Sequence, residues 1–144
     1  MHRNFRSLSL MLVVLLLGAC ASGAKFSDTA PSLQPVSADT GRIFFYRPSS
    51  MGAAIQPKVH LNDEVVGEAI AQGYFFVDRP PGEYKVTTST EVERSLSFVL
   101  EANQTRYVRL SMSMGFVAGH VTPKLIDAET ALKELKNTKA IDAK

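Results

Sequence analysis

Apolar residues follow three rhythms along this chain. A run from Leu8 to Leu17 comes first, period-two alternation fills the middle, and a stripe at helical spacing lies near the end. The run follows two arginines and ends in small residues, the layout of a secretory signal. Ten helical residues reach only about 15 Å, half of a hydrocarbon core, so it is not read as a membrane span. The segment "GRIFFYRP", Gly41 to Pro48, is apolar on both faces from Ile43 to Tyr46 and is stopped by Pro48, which predicts a central strand. In "KVHLNDEVVGEAI", Val59 and Leu61 alternate with Lys58, His60 and Asn62. Asn62-Asp63 tolerate positive φ, so a hairpin is expected. A strand from Tyr74 to Asp78 is followed by Pro80-Pro81-Gly82, a turn that places Gly82 at positive φ. After it Tyr84, Val86 and Thr88 alternate with Lys85, Thr87 and Ser89. Leu96, Phe98 and Leu100, then Val108, Leu110, Met112 and Met114, form two further inward rows joined by a turn at Asn103-Gln104, and "GFVAGHVTP" adds a last strand. Only Ala128, Ala131, Leu132 and Leu135 fall at i, i+3, i+4 and i+7, behind Asp127 as N-cap, which predicts one short helix. The pattern is mainly β: a small antiparallel β-sandwich of about seven or eight strands with one short C-terminal helix.

Composition narrows the partners. The 144 residues are 45% hydrophobic and 21% charged, an ordinary balance for a single globular domain. The formal charge of +2 is accounted for by Arg3 and Arg6, so the rest of the chain is neutral and unsuited to electrostatic capture of nucleic acid. A single cysteine, Cys20, excludes an internal disulfide and a zinc site built from several thiolates.

That cysteine ends the apolar run, and "LGAC", Leu17 to Cys20, resembles the lipobox of bacterial lipoproteins. The resemblance implies a diacylglycerol thioether on Cys20, cleavage before it, and acylation of the new amine with a fatty acid such as palmitate. Several acyl chains, at ~0.8 kcal/mol per buried methylene, anchor a protein for good. Ala21 and Ser22 follow, without the aspartate that resembles an inner-membrane retention signal, which favours the outer membrane. From Ala21 to Thr40 the chain is rich in Ala, Ser, Thr and Pro without periodicity, and reads as a disordered tether with a reach of roughly 25 Å. The expected organisation is a signal peptide over 1–19, the lipidated cysteine and tether over 20–40, the β-sandwich over 41–137 and a tail over 138–144.

In order, "GRIFFYRPSS", "VHLNDEVVGE", "GYFFVDRPPGEYKVTT" and "TRYVRL" resemble the bacterial lipoprotein family catalogued as domain of unknown function 2846. The resemblance covers roughly residues 41 to 136, with "RPPGEYKV" its most specific part. The same turn is similar to small sandwich modules such as PEGA and transthyretin-like domains. What this implies is a compact β domain of the cell envelope with no assigned activity and no catalytic residues to carry over.

The remaining candidates for chemistry are few. His2 goes with the signal, and His60 and His120 stand without a Gly-x-Ser-x-Gly elbow or a His-Glu-x-x-His motif. His60 falls on the solvent face of its hairpin. Met112, Met114 and His120 are the soft set that suits copper, although the methionines also continue the inward row of Val108 and Leu110. Glu91 and Glu93 read as a solvated edge. Tyr74, Phe76 and Tyr84 read as buried rather than as a carbohydrate platform. No catalytic residue, metal ligand or cofactor is assigned. The expectation is a non-enzymatic, lipid-anchored binding or structural module, held in the outer membrane through Cys20, facing the periplasm and meeting an envelope protein. The alternative is periplasmic copper handling or an envelope enzyme using His120 and Met112/Met114.

Overall fold

In a computed structural model that describes residues 20–144, every residue of the first strand, β1 (Gly41–Tyr46), is buried. The segment 1–19, expected as a signal peptide, lies outside the described residues. The strands that follow are β2 (Lys58–Leu61), β3 (Glu64–Glu68), β4 (Gly73–Arg79), β5 (Gly82–Ser89), β6 (Glu93–Leu100), β7 (Thr105–Met114) and β8 (Gly119–Ile126). A two-residue strand, β9 (Lys139–Ala140), comes last. They form a five-stranded sheet in the order β8-β7-β1-β4-β9 and a four-stranded sheet in the order β3-β2-β5-β6. β1 is central, as its two apolar faces require. The sandwich is mostly antiparallel, but β1 pairs with β7 in parallel, Arg42 beside Thr105 and Tyr46 beside Arg109, and β4 pairs with β9 in parallel. Side-chain alternation is the same in both kinds of ladder, so periodicity could not reveal these two pairings.

Local chemistry accounts for most turns. Asn62 and Asp63 sit at φ 47° and 69°, the primed turn expected between β2 and β3, and Asn103 at 58° turns the chain between β6 and β7. Gly82 departs from its expectation. It opens β5 without positive φ, and a Cβ there would meet only the Tyr84 ring at 3.9 Å. The two prolines turn the chain without help from a left-handed residue. Glycine is needed instead at Gly67 in β3, where a Cβ would lie 2.5 Å from the Phe75 ring.

Between the sheets, Ile43 and Phe45 of β1 pack with Val59, Val86, Leu100 and Val108. The opposite face of β1 carries Phe44 and Tyr46, which need their own cover. Part of it is the helix that follows β8, whose Ala131 and Leu135 are buried while Leu132 stays at the rim. The Asp127 carboxylate caps this helix by accepting from the Thr130 N–H at 2.9 Å.

The rest of the cover corrects the expectation of a disordered tether over 20–40. A one-turn helix, α1 (Phe26–Thr29), lies on this face with Phe26 only 6% exposed, and the C-terminal helix becomes α2 (Ala128–Leu135). The Phe26 ring stands edge-on to Phe44 at 5.8 Å and to Tyr74 at 5.2 Å. Thr29 Oγ1 and the Tyr74 hydroxyl share a hydrogen bond of 2.6 Å, and Arg42, paired with Asp78 at 2.7 Å, also donates to the Gln34 carbonyl at 2.8 Å. The expected tail, 138–144, is likewise part of the fold. Ala140 N donates to Ala24 O at 2.8 Å, Phe26 N to Thr138 O at 2.8 Å, and Ile141 packs against the inter-sheet core. Low apolar content hid one decisive residue: a single phenylalanine docks a segment that composition alone assigns to solvent.

Phe26→Ala should therefore destabilise residues 20–144 by about 3 kcal/mol, since it removes a buried aromatic from an edge-to-face cluster. Urea unfolding checks this. A loss below about 0.5 kcal/mol, the level of an ordinary surface change, would return the segment to the role of a tether.

Candidate functional site

At the end of the sandwich where β1 stops, Arg47 turns inward instead of outward. Its side chain is 0% exposed, and no carboxylate pairs with it. Nη1 donates to the carbonyls of Ile55 at 2.6 Å and Ala69 at 2.7 Å, and Nη2 to those of Met51 at 2.6 Å and Gly52 at 2.8 Å. One guanidinium thus holds the loop after β1 against the connection leading into β4. The fork of five donors makes this arrangement possible, and Nε has no hydrogen-bond partner among the described residues. Burial pulls the Arg47 ionisation below the usual arginine range, with nearby Cys20 acting in the opposite direction.

Cys20 is therefore beside Arg47, at the same end. It is a free, half-buried thiol bridged in parallel to Ala71, and Ala21 N donates to Ala71 O at 3.0 Å. Further along, Gly23 lies so close to the chain that a Cβ would overlap the Ala140 carbonyl oxygen. The cysteine expected to bear lipid is fixed to the rim of the domain, with no free length of chain between them.

The β7–β8 hairpin projects from this end. Tyr46 is the last β1 residue beside β7, opposite Arg109, yet β7 runs on to Met114, and Gly115 N closes the turn by donating to Ala118 O at 2.9 Å. Met112 is half-buried against the core, its methyl group occupying the space that a Cβ on Gly52 or Gly119 would need. It fills a gap between loop and hairpin. Met114 is 67% exposed. Met112 faces Val121 and Met114 faces Gly119, whereas His120 faces Ser113. Alternation then sets the imidazole on the opposite face of the ribbon from both thioethers, so the strand register does not bring the three together. His120 Nδ1 instead shares a hydrogen bond of 3.3 Å with Thr90 Oγ1.

Other candidates fall into structural places. His60 lies on the outer face of the four-stranded sheet in a shallow depression of about 200 Å³ with Asp63, Lys85 and Glu93. Glu91 and Glu93 are exposed, the latter 3.9 Å from Lys85 Nζ. Tyr74 is buried and Phe76 half-buried in the outer-face cluster, and the Tyr84 hydroxyl donates to Pro80 O at 2.7 Å. Among the described residues no three of His, Cys, Asp and Glu gather as metal ligands, and no helix is long and apolar enough to cross a membrane. Sequence reasoning missed two polar devices. One is Arg47. The other is Glu134, which accepts from the Tyr46 hydroxyl at 2.6 Å and from Arg109 at 2.6 Å and so fastens α2 to the sheet. Burial, then the bond to Glu134, pushes the Tyr46 hydroxyl far above the usual tyrosine range. An arginine directly after the apolar run Ile43–Tyr46 was the available signal for the first. Nothing local pointed to the second, because its partners are 88 and 25 residues apart.

Comparison with known proteins adds identity but no activity. The model of a family described as "Protein of unknown function (DUF2846)" matches residues 37–122. An uncharacterized protein of Haemophilus influenzae is 25% identical over 136 residues, covering 91% of this chain and 81% of that protein. No solved structure gives a significant match.

Arg47→Lys keeps the charge but not the fork. It should cost about 2 kcal/mol in urea unfolding, because at least one of the four converging carbonyls loses its donor. Unchanged stability would mean that the fork is dispensable.

Proposed function

The chain belongs to the DUF2846 family, proteins of unknown function, and from that premise we propose that it is a non-enzymatic lipoprotein of the cell envelope. In this reading residues 1–19 are a signal peptide and Cys20 carries the lipid. The domain faces the periplasm from the outer membrane as a binding or structural module for an envelope protein. The observation that carries the reading is "LGAC" at the close of the Leu8–Leu17 run. The placement of Cys20 is consistent with it: the thiol is in no disulfide and stands half-exposed at the rim of the domain. A non-enzymatic role is supported by the use already made of the perturbed polar groups. Tyr46 and Arg47 are occupied in holding a helix and a loop, and Met112 in filling a gap.

Cys20→Ser tests the anchor. The wild type should incorporate labelled fatty acid, run shorter than its precursor and fractionate with the outer membrane. The variant should stay as a heavier, unlabelled band in the inner membrane, because Leu17 at the −3 position is too large for ordinary signal cleavage. Normal processing with undiminished labelling of Cys20→Ser would overturn the proposal.

A further inference from the structure

The tip of the β7–β8 hairpin is the most exposed apolar feature among the described residues: Phe116 is fully exposed and Val117 86% exposed. Single exposed apolar residues are commonplace. Here two adjoin at the end of a projecting ribbon, with Met114 beside them.

The topology places this tip at the Cys20 end. β1 and β7 run in parallel, and Cys20 bridges to Ala71, just ahead of Gly73, whose carbonyl accepts from Arg47 N at 2.9 Å. Cys20 is thus level with the C-terminal end of β1, past which β7 continues from Leu110 to Met114. At about 3.3 Å per residue these five residues carry the turn roughly 16 Å beyond β1. The loop held by Arg47 braces the overhang, with Gly52 and Ile55 against Met112 and Gly119.

The connections at this end are uncharged. Residues 20–24, 48–57, 69–77 and 111–123 contain no Lys, Arg, Asp or Glu. The opposite end carries Arg42, Asp78, Arg79, Glu83 and Glu101. The strand ends beside these stretches carry both signs, Lys58 opposite Glu68, Arg94 opposite Thr88 and Lys139 beside Gly73, and Glu91 and Glu93 are exposed where β5 gives way to β6, near Thr90 and its partner His120.

We propose that Phe116 and Val117 enter the same bilayer leaflet that holds the acyl chains of Cys20, so that the domain sits on the membrane at two points with a fixed orientation. This rests on the lipid-anchor reading. The occupant is a bilayer because the backbone around Cys20 is hydrogen-bonded to the domain, so a lipid on that residue brings this end to the membrane and turns the projecting tip toward it. Entry relies on apolar contact at the headgroup boundary. The charges flanking this end are of both signs, so entry does not depend on anionic lipid.

The test uses the full processed protein, in which acylation occupies Cys20 and leaves an introduced cysteine as the single free thiol. Phe116→Cys, and Glu101→Cys at the far end as reference, are labelled with an environment-sensitive fluorophore and reconstituted in phosphatidylcholine vesicles, with or without phosphatidylglycerol. Intact mass reports the acyl chains independently. The label at 116 should shift to the blue and be quenched severalfold more than the label at 101 by lipids brominated near the headgroup, equally in both lipid mixtures. With acylation shown by mass, a label at 116 as accessible to aqueous iodide as that at 101 overturns the insertion and leaves the anchor standing. A blue shift without quenching by brominated lipid means burial against a second copy or another protein and also overturns it. Absence of acyl mass overturns the anchor and the insertion together.

Discussion

A strand that is apolar on both faces has to be covered twice, and β1 imposes that demand on the whole molecule. Ile43 and Phe45 point into the space between the sheets and are met by the four-stranded sheet. Phe44 and Tyr46 point the other way, and no second sheet is available on that side. The cover is assembled from the ends of the described chain: α1 with Phe26, α2 with Ala131 and Leu135, and β9 pairing with β4. Burying an aromatic such as Phe44 is worth about 2 to 3 kcal/mol, enough to draw an otherwise polar segment out of solvent.

That demand fixes where Cys20 lies. Because Phe26 must sit on Phe44 and Tyr74, the residues before it are laid along the last strand and the Ala71 connection, ending beside Arg47. Arg47 in turn trades full hydration for four carbonyls, an exchange that only a forked, charge-assisted donor sustains. In the lipid-anchored reading the anchor point and the domain are then one rigid piece. A lipid on Cys20 would set the orientation of the sandwich as well as its location.

The strands, the Asn62-Asp63 turn, the Asp127 cap and the central place of β1 were legible because each depends on residues close in sequence. What was not legible depends on contacts between distant segments. Phe26 stands alone in a polar stretch, and its significance appears only once the outer face of β1 lacks a cover. The parallel pairing of β1 with β7 leaves no trace in alternation. Gly82 looked like a left-handed turn residue because Pro80 and Pro81 precede it, yet the left-handed glycine is Gly52, in the loop that Arg47 holds. At the candidate site, the sequence singled out Cys20 as the one cysteine, closing an apolar run. Its attachment to the domain was not legible, and neither was the separation of His120 from Met112 and Met114, which follows from the register of a hairpin whose turn length could not be read.

The account stands on the N-terminal segment being part of the fold, and amide hydrogen exchange over residues 20–144 reads this directly. The amides of Ala21, Phe26 and Ala140 donate to Ala71, Thr138 and Ala24. They should exchange slowly, with protection lost together in one cooperative unit. Exchange of all three at the rate of an unstructured peptide, beside protected amides in β1 and β7, would contradict the account and leave the outer face of β1 without its cover.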